Sequence, residues 1–278
     1  MRKVTVGLAQ MRVVSEAKAN ITKATEMVAE AAERGANMVC LPELFEGPYF
    51  PRVEHAAPRP ETIPGPGSKA LSEAARRNHV VLIGGSIYEA AGRNRYNTTP
   101  TFDEKGRLLG KYRKVHLPQD PGFFEQDYFD AGSTFKVYDT SFGRIGTLIC
   151  FDQWYPEAAR ANRLLGAQMI FYPTAIGTVS GISQTEGDWR EAWEGVQRGH
   201  AIANSVVVVA VNRVGREGKT SFWGGSFAYD QFGKLLVRAG SEEGVYLARF
   251  DLDLGGEVEE GWGFVKNRRP AAYERLTG

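Results

Sequence analysis

Cysteine is scarce in this 278-residue chain, which has two, Cys40 and Cys150. Two thiols cannot build a disulfide framework, and no CxxC pair offers zinc-ligand spacing. A charge of one sign is missing as well. Thirty-four Lys and Arg stand against 33 Asp and Glu, a net charge of +1, so electrostatics gives no ground for a nucleic-acid or membrane partner. The longest apolar run, 206–211, is far short of the ~20 residues that span a bilayer. The N-terminal MRKVTVGLAQMR has no signal-peptide core. GxSxG, a Walker loop and GxGxxG are absent, so serine-hydrolase and nucleotide-binding readings lack their signatures. The four histidines, His55, His79, His116 and His200, show no metal spacing. The expected address is cytoplasmic and reducing, where a lone cysteine serves packing or catalysis rather than bridging.

What the chain does have is a faint internal repeat. GANMVCLP at 35–42 matches GAQMIFYP at 166–173, and NHVVLIGG at 78–85 matches NSVVVVAV at 204–211. DEKGRLL at 103–109 matches DQFGKLL at 230–236, and residues 4–10 stand in the place of 144–150. The first three offsets lie near 130, and four matches in one order are improbable by chance. Each half reads strand, helix, strand, helix, strand, hairpin. The runs at 38–41, 80–83, 168–172 and 206–211 are continuously apolar, which suits strands buried on both faces. Ile21, Ala24, Met27, Val28 and Ala31 fall on one helical stripe. Two such halves pack most economically sheet against sheet with helices outside. The predicted fold is therefore α/β, a four-layer α-β-β-α sandwich, with residues 1–278 forming one domain. The tail 255–278, with Trp262, Phe264, Arg268 and Arg269, lies beyond the repeat and is expected to pack on another subunit.

Open α/β sheets place function beyond the carboxyl ends of their strands, and three reactive side chains stand there. Cys150 closes the strand 144–150, and Tyr155-Pro156-Glu157 opens a helix just after it. Such an elbow is expected to expose the sulfur and aim backbone N–H groups at what it attacks. Glu43 follows a buried apolar run behind the rigid Pro42, a place suited to a general base. Lys114 ends a hairpin strand within a basic cluster that includes Lys111 and Arg113. A cation beside a cysteine is expected to lower the thiol pKa and to hold an oxyanion. On its own, each residue also has a bland reading as a core thiol, a solvated acid or a charged edge strand. His116 is a weak rival as the base, and His200 reads as a packed polar residue. Asn97-Thr98-Thr99 matches a glycosylation acceptor, a match that carries meaning only in a secreted protein.

Taken together, LPELFEG around Glu43, KYRKVHLP around Lys114 and LICFDQWYPEAAR around Cys150 resemble the three motifs of the nitrilase, or carbon–nitrogen hydrolase, superfamily. PGFFE, FYPTAIG and the tail GWGF…RRP are similar to its N-carbamoylputrescine amidase branch, although Phe151 stands where that branch usually has Trp. The resemblance implies a thiol amidohydrolase with a Glu43–Lys114–Cys150 triad and Glu125 as a second glutamate. It implies no metal or organic cofactor, a small-molecule substrate, and a homodimer or larger homo-oligomer. β-Ureidopropionase, ω-amidase and nitrilase chemistry use the same triad, and a non-enzymatic binding module is the reading from another class. Phe151, Tyr49, Thr174 and Glu186 are the expected substrate-binding residues. Glu186 is favoured over Glu46 and Asp188 as the acid facing a substrate ammonium, while Arg52 or Arg190 would hold a carboxylate instead.

Overall fold

Continuous apolar runs bury both faces of each central strand. In a computed structural model, which describes residues 2–276, two sheets carry the core. In the first, Lys3–Gln10, Met38–Cys40 and Val81–Ile83 run parallel, flanked by antiparallel Gly244–Asp251 on one side and Asn94–Phe102 on the other. Ile87–Ala91 and Leu108–Arg113 both pair with Asn94–Phe102. In the second, Gly143–Thr147, Met169–Thr174 and Val207–Asn212 run parallel, flanked by Val137–Thr140 and by Phe227–Tyr229 with Leu235–Arg238.

Met38, Cys40, Val81 and Ile83 face Met169, Phe171, Val207 and Val209 in one buried cluster between the sheets. The intervening Val39 and Leu82 face outward onto helices α1 (Ala17–Glu33) and α2 (Pro66–Asn78). Ile170, Tyr172, Val208 and Ala210 face outward onto α3 (Pro156–Leu164) and α4 (Trp189–Asn204). Three buried layers make a four-layer α-β-β-α sandwich, as the two-halves argument requires. Ala24, Met27, Val28 and Ala31 are buried on the expected stripe of α1, and Ile21 is partly so. Burying a side chain such as Val28 or Met27 contributes roughly 1.5–3 kcal/mol.

The repeat extends to backbone detail. His79 and Ser205, which close α2 and α4, both adopt left-handed conformations, φ 52° and 50°. Asp103 accepts hydrogen bonds from the Lys105 and Arg107 N–H groups, and Asp230 from those of Phe232 and Lys234. The hairpin glycines that follow, Gly106 and Gly233, sit at φ 75° and 79°, a region costly for any side chain.

The tail forms α5 (Leu254–Trp262) and two short 3₁₀ turns. Trp262 is 62% exposed, 5.8 Å from Phe232 and 5.9 Å from Phe264 between ring centroids. Residues 277 and 278 of the tail lie outside the described residues. Among the described residues no helix is long and apolar enough to cross a membrane.

Candidate active site

Both sheets present the carboxyl ends of their parallel strands at one end of the sandwich. There the Glu43 N–H donates to the Thr174 carbonyl across the two halves, at 3.4 Å. Glu43 lies three residues past Met38–Cys40, and Cys150 three past Gly143–Thr147. Both strands therefore end earlier than the sequence suggests, and short irregular segments carry the reactive groups.

Lys114, Glu43 and Glu125 meet in the interior, and Cys150 lies close enough to feel the charge of all three. Lys114 Nζ donates to Glu43 Oε1 at 2.8 Å and to both Glu125 oxygens at 2.7 Å, and all three side chains are 0% exposed. Lys114 is no edge-strand charge. Its backbone N–H donates to the Asn97 carbonyl, and its own carbonyl accepts from Gly132 N–H. Lys111 and Arg113, by contrast, pair with the buried Glu89. Asn97 Nδ2 also donates to Glu43 Oε1 at 2.8 Å, so this oxygen is held from two sides. Glu43 Oε2 is buried with no partner and is the oxygen free to accept a proton. Tyr49 OH donates to Glu125 Oε1 at 2.6 Å.

Cys150 sits at φ 42°, first in the 3₁₀ turn Cys150–Trp154. A β-carbon in that region is strained, so the surroundings must over-determine it. Asp152 accepts from Ile149 N–H, Tyr112 OH and His116 N–H, and pairs with His116 Nδ1 at 2.7 Å. Gln153 Oε1 accepts from Trp193 Nε1, and its carbonyl pairs with His200 Nε2. The two histidines thus brace the elbow. His116 is committed to Asp152 and stacks on Tyr155 at 3.6 Å, and His200 is the packed polar residue expected.

Two expectations about the thiol need correction. Cys150 is 7% exposed, set in the wall of a cavity lined by aromatic and loop residues rather than standing on the open surface. Its pKa is also raised rather than lowered. Burial and then Glu43 push it up; Lys114 and the Ala175 N–H pull it down without prevailing, and Glu125 adds to the rise. A neutral resting thiol needs a base before it can attack. Burial opposes the Lys114 charge, but Glu125 and Glu43 outweigh it and hold the ammonium above the ordinary lysine value. Burial lifts Glu125 to about 7 against the pull of Lys114, with Glu43 adding to the rise. Cys40, wholly buried between the sheets, is pushed up by burial alone.

Cys150 opens into a cavity of ≈ 580 Å³. Phe151, Tyr49, Glu125 and Glu186 line it, as do Asp120 and Trp154. Thr174 does not: its hydroxyl turns back to the Tyr172 carbonyl at 2.9 Å. Glu186 stands at the wall, hydrogen-bonded by Trp189 Nε1. Asp188 caps α4 by accepting from the Arg190 and Glu191 N–H groups. Glu46 lies elsewhere, in a second cavity behind the Glu43 loop. Arg52 donates to the Tyr49 carbonyl and Arg190 pairs with Glu194. Among the described residues no Lys or Arg lines the cavity of Cys150, and no group of three or more His, Cys, Asp or Glu could hold a metal ion. Asp120 and Asp152 were not singled out from sequence, and Asn97 only as a glycosylation match. The available signal was a run of polar residues, Asn97, Thr98, Thr99 and Thr101, inside a strand that proves buried.

The arrangement offers a thiol, a base with a free oxygen, a locked ammonium and a backbone elbow, which together suit acyl transfer from an amide. Comparison with known proteins agrees. The carbon–nitrogen hydrolase family model matches residues 5–260. An N-carbamoylputrescine amidase of Solanum lycopersicum is 40% identical over 288 residues, covering 99% of this chain and 95% of that protein. Omega-amidase NIT2 of Mus musculus is 35% identical, with 96% of each chain covered. The crystal structure of a carbon–nitrogen hydrolase from Helicobacter pylori G27 superposes with a TM-score of 0.92 at 34% identity, covering 99% of both chains. A family model over nearly the whole chain and close relatives at full length leave one assignment: the chain belongs to the carbon–nitrogen hydrolase family, enzymes that hydrolyse non-peptide amides.

Proposed function

We propose that the protein hydrolyses a carbamoylated aliphatic amine with a free ammonium at its far end, N-carbamoylputrescine being the first candidate. The observation that carries this reading is the charge of the cavity. Its ionisable lining is acidic or phenolic, with Asp120 and Glu186 away from the cluster; the neighbouring cation, Lys114, lies behind that lining and is already paired with Glu43 and Glu125. An ammonium entering such a site finds partners, whereas a carboxylate would be buried against like charge.

In this reading Cys150 Sγ attacks the carbamoyl carbon as its proton passes to Glu43 Oε2. The oxyanion is held by Lys114 and the Phe151 N–H, donors of a kind typically worth ~3 kcal/mol each. Collapse breaks the C–N bond, and the leaving amine takes the proton from Glu43, leaving a carbamoyl thioester. Glu43 then deprotonates water, which attacks the thioester. Collapse breaks the C–S bond, Glu43 returns the proton to the Cys150 sulfur, and carbamate leaves and decays to CO₂ and ammonia. Glu125 positions Lys114 and sets the charge of the cluster. The exposed Trp262 and Leu276 support self-association through the tail.

The test compares kcat/KM for N-carbamoylputrescine and N-carbamoyl-β-alanine in wild type and Glu186→Gln. The amine substrate should win in wild type, and the margin should narrow in the variant. Preference for the anionic substrate overturns the amine reading, and an unchanged margin removes Glu186 from recognition and leaves Asp120 as its partner.

A further inference from the structure

Arg213 is wholly buried, an unusual place for a cation. It stands between Val207–Asn212 and Val214–Glu217. Its Nη2 donates to the Gly47 carbonyl at 2.9 Å and lies 3.4 Å from the Leu44 carbonyl. Its Nε faces Glu217 Oε1 at 3.5 Å, beyond good hydrogen-bond geometry, and neither Nε nor Nη1 has a hydrogen-bond partner. Its guanidinium also lies over the Phe222 ring at 5.2 Å. A core that needed only packing would favour an apolar side chain here, because an under-satisfied buried guanidinium is costly.

What Arg213 grips explains its place. Segment 43–49 carries at its two ends Glu43, which touches Lys114, and Tyr49, which touches Glu125. Between them Leu44 holds a left-handed backbone at φ 47°, with its N–H on Ser86 Oγ. Arg213 takes the carbonyls of Leu44 and Gly47. Its ion-pair partner Glu217 accepts the Tyr49 N–H at 2.6 Å. The pair therefore fixes a strained segment from both sides, across more than 160 positions of sequence. A lysine has one compact point charge and cannot span two carbonyls and a carboxylate as a planar guanidinium does.

We propose that Arg213, with Glu217, is a positioning residue for the reaction: it sets the pose of segment 43–49 and so aims Glu43 and Tyr49 at the Lys114–Glu125 cluster. The inference rests on the assignment of Glu43 as base and Cys150 as nucleophile. A displaced base lowers turnover without touching substrate affinity, and a misplacement of about 1 Å typically costs on the order of 100-fold in rate.

The experiment begins with wild type, mixed with N-carbamoylputrescine, acid-quenched and weighed as intact protein. A carbamoyl group on Cys150 establishes the assignment, and its absence with every amide tried defeats that assignment itself. Steady-state kinetics of folded Arg213→Met and Arg213→Lys follow. Arg213→Met should lose roughly 100-fold in kcat with KM within about threefold of wild type, and Arg213→Lys should fall between. If Arg213→Met does not fold, Glu217→Gln decides, since an amide oxygen still accepts the Tyr49 N–H while the anion is gone. It should lose about tenfold in kcat at unchanged KM. A wild-type kcat in folded Arg213→Met, or in Glu217→Gln, overturns the proposal while leaving the nucleophile assignment intact.

Discussion

Removing one oxygen atom, in Tyr49→Phe, should move the acid limb of activity. The phenyl ring stays against Phe123 and Phe222, whose centroids lie 5.9 and 5.8 Å away, so packing changes little. What is lost is the 2.6 Å hydrogen bond to Glu125 Oε1. Tyr49 remains a donor in wild type because burial, then Glu125 and Glu43, push its own pKa well above the usual phenol value. A hydrogen bond to an ionised acceptor contributes roughly 1.5–3 kcal/mol, and one pH unit is about 1.36 kcal/mol. The bond favours ionised Glu125, so its loss raises a titration already near 7 by about one unit or more. Protonated Glu125 leaves Glu43 alone with the Lys114 charge and makes Glu43 a poorer base. The pH profile of kcat/KM reports groups of the free enzyme. In wild type its acid limb should fall near pH 7, and in Tyr49→Phe near pH 8 or above. At pH 9 the two enzymes should be close; at pH 6.5 the variant should be slower by about tenfold. An acid limb that stays in place, or moves down, refutes the link from Tyr49 to Glu125 to the base.

Two other perturbations test different parts of the account. Lys114→Ala removes the cation from two buried carboxylates, so kcat should fall by roughly 10²–10³-fold with little change in KM, and calorimetry should show a Tm that recovers on acidification as Glu125 protonates; a near-normal kcat would end the oxyanion role. Glu46 is lifted to about 8 by burial and then by Glu61. A carboxyl raised in the folded state binds a proton that the unfolded chain releases above about 4.5, so wild-type stability should decline between about pH 5 and 8. Glu46→Gln should remove that slope, on the order of 3–5 kcal/mol by denaturant titration at pH 8.5 and nothing at pH 4.5; parallel curves at the two pH values would contradict it.

Much of the architecture was readable because it repeats. Asp103 and Asp230, or His79 and Ser205, occupy like places in two halves, and a pattern seen twice separates signal from accident. Glu43, Lys114 and Cys150 were readable because each follows a strand-forming run, where few other reactive groups compete. Their surroundings were not. Whether Cys150 stands open or in a cavity wall, and whether its thiol is raised or lowered, depends on burial and on the balance of Glu43 and Glu125 against Lys114. Sequence spacing cannot fix that balance. Asn97 looked like a modification motif and is instead a donor to Glu43. Arg213 gave no local sign, because its carbonyl partners lie in the other half. Thr174 sat in the right motif, yet its hydroxyl turns to its own strand. A one-residue change of direction, the period-2 property of strands, separates lining from packing.

The central claim is that Cys150 carries the acyl group and that Cys40, sealed between the sheets, carries nothing. Rapid acid quench of the enzyme with N-carbamoylputrescine, followed by intact mass and peptide mapping, tests it directly. The account predicts one carbamoyl group on Cys150, none on Cys40, and none in Cys150→Ala. A carbamoyl group on another residue, or turnover that persists in Cys150→Ala, would contradict it.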